Sequence, residues 1–439
     1  MVNSALKVGA GKAAIKYTPE MFPNFRENYT HVHDDSYTQV LIIETDAKYV
    51  FVACGTVMVP EVGKIKSDLS CILDVPVSNI IVHGKHVLSA PHCGHATVER
   101  FMKHAAHFGR SFSDEEAKKY VERDNLLTDA VFTSIYEAAK IANDSIREAK
   151  FGFALGNTDV NVNRVVYTDK GWWQGHNPNG ATDRSMPVLR FDDVAGNPIA
   201  ILFNCNTAPG VLENSFLSDG RRAASGDIAA VAEKFVEESY GGNTVAIYTT
   251  GATGDQWQSL RALFDTVNRK GEQTVIDLHE QGFLLIDILG TRLGEQVVCT
   301  SESIHTEKCN VKINLNGTVF SYPGQRATVR EDVGAVAECQ FIPDEDRDAG
   351  VTVLQLNDIA IVFCGVEMGV RTYKSIKASS PFKNTFVVEF ANEVGGGYMV
   401  EQDLYEKMSY QSRKSRFAAG AAERFREDLI GFLKEIYAE

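Results

Sequence analysis

Short apolar runs rich in β-branched residues recur along the chain, at 39–44, 48–54, 80–82, 187–191, 198–204, 244–249 and 385–390. Each has the length of a strand and is bounded by turn residues. Amphipathic helical signals lie between them. They are expected at 62–73, after a capping box at Ser113 and Glu116, from Asp227 onward, at 275–298 and at 418–437. The run 39–44 should pair with 48–54 across a three-residue turn, and 187–191 with 198–204 across D-D-V-A-G-N. Strands and helices alternate irregularly, with both hairpins and crossovers, and no repeat or low-complexity linker interrupts them. The expected fold class is therefore α/β: a single large domain with a mixed β-sheet flanked by helices. Within that frame the helix after Ser113 is expected to break near Asn125. Residues 151–166 read as one irregular strand, and 171–180 as a turn-rich loop.

With 439 residues and a formal net charge of −14, the chain is a poor partner for nucleic acid or an anionic membrane. No run approaches the roughly 18 apolar residues of a membrane span. The N-terminal segment lacks the apolar core of a secretory signal. The eight cysteines are scattered without a C-x-x-C pair, which fits free thiols in a reducing cytoplasm. The partner expected on this basis is a small-molecule substrate.

Chemistry gathers where the strands end. Four of the eleven histidines, His83, His86, His92 and His95, fall within thirteen residues after the strand at 80–82. Neutral imidazole ligates metals and carries protons near neutral pH. His33, in H-V-H-D-D, is a further binding candidate, while His104, His107, His279 and His305 sit in ordinary polar contexts. The adjacent Trp172 and Trp173 either line a binding site or cover a core edge. The strand at 244–249 runs into G-A-T-G-D255-Q256, which has neither the Lys-Ser/Thr pair nor the glycine spacing of a phosphate loop. Its glycines would admit close backbone approach, leaving Asp255 as a catalytic or ligand carboxylate and Gln256 as a substrate contact. No G-x-S-x-G elbow is present, and Cys93 is the one tempting thiol nucleophile. His86, Glu367 and Tyr398 make a mixed nitrogen and oxygen set suited to zinc, though their spacing in sequence does not show that they converge.

Several blocks together resemble one family, the neutral/alkaline non-lysosomal ceramidases and their shorter bacterial relatives. V-G-A-G-K-A-A-I-K-Y-T-P spans 8–19, H-D-D-S-Y spans 33–37 and K-H-V-L-S-A-P spans 85–91. N-V-N-R spans 161–164, G-A-T-G-D spans 251–255, G-V-E spans 365–367, and an Asn-to-Gly-Tyr element runs from Asn392 to Tyr398. The resemblance implies a ceramidase-like catalytic domain over 1–439, with no room for the family's C-terminal immunoglobulin-like domain. It also implies a zinc-dependent amide hydrolase, in which metal polarises a carbonyl and activates water. Carried over by position, His86, Glu367 and Tyr398 match zinc ligands, and Arg164 matches an oxyanion- or substrate-stabilising arginine. Leu88 stands where the second histidine of the family's T-H-T-H motif would be. Ala208 stands at the family's other zinc histidine, with Asn206 the nearest polar substitute, and Trp257 replaces a serine. His92 or Asn206 could complete a rearranged site. The leading expectation is a cytoplasmic ceramidase-like hydrolase cleaving an amide or related bond of a small substrate at a modified metal site. The alternative is a catalytically degenerate paralogue, serving as a binding or structural subunit of a homo- or hetero-oligomer.

Overall fold

Alternation within the strands decides the layering. In the strand Tyr37–Glu44, Leu41 and Ile43 join one apolar cluster while Val40 and Ile42 join another. In the next strand Phe51 and Ala53 are likewise separated from Val50 and Val52. Successive side chains of a strand point to opposite faces, so both faces of this sheet are buried. That is why the runs read as continuously apolar. The structure, a computed structural model, describes residues 5–107, 109–307, 311–392 and 397–438.

The main sheet has eight strands. They are β1 (Lys7–Ala14), β2 (Tyr37–Glu44), β3 (Lys48–Cys54), β4 (Ile80–Gly84), β5 (Arg147–Asn157), β6 (Ser185–Asp193), β7 (Pro198–Cys205) and β8 (Val245–Thr250). Their spatial order is β8-β7-β6-β5-β1-β2-β3-β4. The inner pairs are antiparallel, and the two edges, β7 with β8 and β3 with β4, are parallel. A parallel pair needs a crossover. Helix α1 (Val62–Leu73) supplies the one between β3 and β4. After α2 (Asp114–Asp144), α3 (Asp227–Ser239) supplies the one between β7 and β8. On one face α1 and α2 pack under β2–β4 through Ile65, Leu69, Val131 and Ile135. On the same side of the fold α3 and α4 (Gln281–Glu302) meet β7 and β8 through Ile228, Ile286, Phe203 and Tyr248.

The other face of the main sheet meets a second sheet. Its strands are β9 (Ile313–Ala327), β10 (Phe341–Leu356), β11 (Ile359–Cys364) and β12 (Asn384–Val388), hydrogen-bonded in that order. The pair β11–β12 is parallel and is crossed over by α5 (Val370–Ser379). One apolar cluster joins Leu41, Phe51 and Ile81 to Val353, Ile361 and Phe386, and these to Phe425 and Leu429 of α6 (Ala421–Ala438). The result is a single α/β domain layered helix, sheet, sheet, helix.

The mixed sheet and both expected hairpins are present, and α1 spans 62–73. Helix α2 runs unbroken past Asn125, because that side chain accepts from Ala96 N at 2.9 Å and faces a neighbouring segment. Residues 151–166 divide between β5 and a strand Asn161–Thr168 in another sheet. The expected loop at 171–180 begins as a strand, Gly171–Asn177, hairpinned to Asn161–Thr168. Helix α4 starts at Gln281 because Gln273–Asp277 pairs with Leu263–Val267 in a hairpin. Among the described residues no helix is long and apolar enough to cross a membrane. The seven described cysteines are free thiols, and Cys309 lies outside the described residues.

One buried charge pair ties an edge of the sheet to its helix layer. Lys85, just past β4, places Nζ 2.5 Å from Glu233 Oε1 of α3 and 2.5 Å from Gln39 Oε1 of β2. Glu233 also accepts from Gln39 Nε2 at 2.8 Å and Tyr248 N at 2.9 Å. Breaking one half of such a pair leaves an uncompensated buried charge, which typically costs about 3–5 kcal/mol. Glu233→Ala is therefore expected to lower unfolding free energy by that amount in urea titrations. A loss below about 1 kcal/mol would mean that Lys85 finds other compensation.

Candidate active site

The C-terminal ends of the parallel strands meet on one edge of the domain, where open α/β sheets build their sites. The chain leaving β12 stitches them together. Glu389 N donates to Thr250 O (2.9 Å), Ala391 N to Cys364 O (3.0 Å) and Asn392 N to Val82 O (2.7 Å), while Gly84 N donates to Phe390 O (3.1 Å). Asn204 Nδ2 donates to Val387 O at 3.0 Å. The loops after β4, β7, β8, β11 and β12 are thereby held against one another, although they lie up to about 300 residues apart in sequence.

Arg164 stands at the centre. It leaves the strand Asn161–Thr168 almost fully buried. Its Nη2 donates to Tyr398 Oη (2.8 Å), Gly254 O (3.0 Å), Glu367 Oε1 (3.1 Å) and Thr253 O (3.4 Å). Three residues that resemblance linked only by position are thus in direct contact. Burial raises the Glu367 pKa, opposed by the charges of Arg164 and Lys414 and by the Tyr398 and Thr253 hydroxyls. Burial also pushes Tyr398 well above an ordinary phenol, so it is protonated at neutral pH.

Beneath this pair lies a carboxyl group that the sequence reading missed. Glu389 is fully buried, and accepts from Met368 N (2.7 Å), Thr253 Oγ1 (2.8 Å) and Thr253 N (3.1 Å). Burial and then the charge of Glu367 hold it well above the carboxylate range. Its signal was a lone acid inside the apolar run V-V-E-F. Tyr410 and Lys414 were also missed. Their side chains meet at 2.9 Å, and the Tyr410 ring lies edge-on to Tyr398.

His86 follows β4 with a positive φ of 55°. Its Nδ1 lies 3.1 Å from Val57 O, and a carbonyl can only accept. The proton therefore sits on Nδ1 and the lone pair on Nε2. The ring stacks on Phe390, with centroids 3.7 Å apart. Burial lowers its pKa from 6.5 to about 3, and the charges of His92, Lys414 and Arg164 push the same way. His92 is held through Nδ1 by Glu27 Oε1 at 2.5 Å. Glu27 carried no sequence signal.

The other histidines of the loop are elsewhere. His83 is a core residue, with Nδ1 2.8 Å from Glu389 O and Nε2 accepting from Thr250 N at 3.4 Å. His95 bridges Glu61 (2.8 Å) and Asp129 (3.0 Å) at the surface. His33 stacks on Phe283, 3.7 Å between centroids, beside Asp34. Cys93 packs against the core, where burial raises its pKa, the reverse of what a thiolate nucleophile needs.

The remaining candidates face their neighbours in the fold. Asp255 accepts from Val370 N (2.9 Å), at the start of α5, and from Asn163 Nδ2 and Gln256 Nε2 (both 3.0 Å). Burial and the charge of Glu401 raise its pKa to about 6. Asn206 accepts from Ala252 N (3.0 Å) and donates to Asp183 O (3.2 Å). Gln256 donates to Ala181 O at 2.9 Å. The glycines of G-A-T-G-D are required by protein packing. A Cβ at Gly251 would lie 2.2 Å from Asn206 Oδ1, and one at Gly254 would lie 2.6 Å from Met368 O. Trp172 and Trp173 project from a strand toward the same corner, Trp173 edge-on to Tyr410 and Trp172 beneath Lys407.

A resident zinc needs a set of unengaged donors, and two of the three expected ones already accept from Arg164. Leu88 and Ala208 are apolar at the two positions where resemblance would place histidines. Glu367 and Tyr398 are both engaged by a guanidinium. Among the described residues no group of three or more His, Cys, Asp or Glu side chains is placed to hold a metal. The cation in contact with both Glu367 and Tyr398 is the Arg164 guanidinium.

No family model matches the chain, and no curated protein matches it. Solved structures do. A ceramidase complexed with C2 superposes with a TM-score of 0.70 at 12% identity, covering 98% of this chain and 76% of that one. The neutral ceramidase from Pseudomonas aeruginosa superposes at 0.68 and 12% identity, covering 97% and 74%. The chain has the neutral-ceramidase fold.

The assigned tautomer gives a direct prediction. Long-range ¹H–¹⁵N spectra should show His86 neutral, with the proton on Nδ1, throughout pH 5–8. An imidazolium near pH 6, or a proton on Nε2, would contradict the geometry.

Proposed function

We propose that this protein is a ceramidase-like hydrolase that cleaves an amide or related bond of a small substrate, with Arg164 as the fixed cation of its active site. The observation that carries this reading is the contact of Arg164 with Glu367 and Tyr398 at the meeting point of the strand ends. Tyr398 Oη accepts from Arg164 and donates to the Glu367 carboxylate; a carbonyl oxygen that gains negative charge would take that donation in place of Glu367. His86 presents an Nε2 lone pair on a ring that stays neutral. Water would give a proton to the Glu367 carboxylate, whose pKa burial raises, as its oxygen bonds to the carbonyl carbon. Collapse would then break the C–N bond, and the proton would pass from Glu367 to the departing amine. Glu389 and Thr253 hold Glu367 and the 253–254 carbonyls in place beneath Arg164. No step passes through zinc.

A second reading, a binding or structural subunit that kept the fold and lost catalysis, is favoured by one observation. Both apolar replacements, Leu88 and Ala208, fall where the resemblance places metal-binding histidines.

A panel of short N-acyl amides separates the two. The hydrolase reading expects turnover that survives EDTA, and an Arg164→Gln variant that loses about 10²–10³-fold in kcat/KM. Turnover lost in EDTA and restored by zinc would overturn the role of Arg164 as the site's cation. Saturable binding without hydrolysis of any panel member would establish the second reading.

A further inference from the structure

Beside Arg164 is a group of donors that the proposed chemistry does not use. Trp257 lies in the short strand Gln256–Gln258, paired with Asn161–Thr168, and is 6% exposed. The guanidinium carbon of Arg261 is 3.9 Å from its ring centroid, and that of Arg164 is 5.8 Å away. Both arginines are themselves almost fully buried. Trp257 Nε1, Arg164 Nε and Arg261 Nε have no hydrogen-bond acceptor.

Unpaired guanidinium Nε atoms also occur at Arg222 and Arg347, so they do not mark a site by themselves. Trp257 differs. It is the one tryptophan among the described residues whose buried indole N–H is unpaired, and it sits against two of those cations. Indole and guanidinium nitrogens only donate, so the ligand that satisfies them must accept. Gln256 and Gln258 point to the other face of the strand, and their amides bond back to Ala181 O and Ala208 O.

The charges of the two arginines are matched within the protein. Arg261 has one carboxylate partner, Glu213 at 2.9 Å, and Arg164 has one, Glu367 at 3.1 Å. Burial pulls the Arg261 guanidinium below its ordinary pKa despite the opposing charges of Glu213 and Asp265, and Arg164 adds to that fall. Each arginine thus has one carboxylate partner, which leaves the unpaired indole N–H between them as the donor without an acceptor.

We propose that Trp257, Arg164 and Arg261 form an anion subsite that receives a carboxylate on the substrate, so that this protein acts on N-acyl amides bearing an acidic group. This rests on the reading of the Arg164 site as the substrate site. A planar carboxylate has two acceptor oxygens, enough to take the indole N–H and a guanidinium N–H together. The acyl carbonyl would then lie toward Tyr398, which Arg164 also contacts.

The test uses two isosteric probes, N-acetylglycine and its neutral amide N-acetylglycinamide, titrated calorimetrically into the intact protein. Inorganic phosphate is the arm for a free oxyanion. N-acetylglycine should bind at least about tenfold tighter than N-acetylglycinamide, the scale of one charge-assisted hydrogen bond. Trp257→Phe keeps the ring, removes the N–H and should shrink that preference several-fold with the melting temperature unchanged. Equal affinity of the two probes, absence of binding by either, or a preference untouched in Trp257→Phe would overturn the subsite. Phosphate binding as tightly as N-acetylglycine would overturn its assignment to a substrate carboxylate. Hydrolysis of acyl amides without carboxylate preference would end the subsite and leave the hydrolase reading. Carboxylate-selective binding without hydrolysis would do the opposite.

Discussion

A buried guanidinium has to be neutralised, and in this fold the groups that neutralise Arg164 come from loops distant in sequence. Gly254 and Thr253 offer carbonyls after β8, Glu367 a carboxylate after β11, and Tyr398 a phenol beyond β12. Removing any of them would leave a charge or a strong donor unpaired in low dielectric, which is costly. The packing of the strand ends and the chemistry of the site are therefore one constraint. The same loops are fixed from below by Glu389, which takes hydrogen bonds from Thr253 and Met368. From the side they are fixed by Asp255, which accepts from the first amide of α5.

Much of the frame was legible in the sequence because it depends on local pattern. Strands such as 39–44 and 198–204 and the helix 62–73 follow from periodicity and turn chemistry, and the capping box at Ser113 and Glu116 forms as its residues dictate. What local pattern cannot show is what covers a strand. The second face of the main sheet meets another sheet, and nothing in L-I-I or V-F-V distinguishes a helix from a strand as the covering partner. The tryptophan segment at 171–180 looked like a loop because its glycines and asparagines suit turns, yet pairing with 161–168 makes its first part a strand. Tertiary pairing overrode propensity there.

The site was legible only in pieces. Resemblance placed Arg164, Glu367 and Tyr398 by position, while their contact across more than 200 residues could be seen only in three dimensions. Four clustered histidines suggested a self-contained metal loop. In the fold they disperse to a core, a stacked ring, a carboxylate pair and a surface bridge. Glu389 was partly visible, as an acid in an apolar run. Glu27 and Lys414 were not visible at all, because an acid or lysine in a polar stretch is usually solvated. The chain shares its fold with ceramidases of known structure at only 12% identity.

The central claim is that a guanidinium, and no metal, provides the positive charge between Glu367 and Tyr398. Anomalous diffraction at the zinc edge, from crystals grown with excess zinc, tests it directly. The account predicts guanidinium density bridging the carboxylate and the phenol, with no anomalous peak within ligand distance of either. A zinc peak about 2.0–2.2 Å from Glu367, Tyr398 and His86 Nε2, with Arg164 displaced, would contradict it.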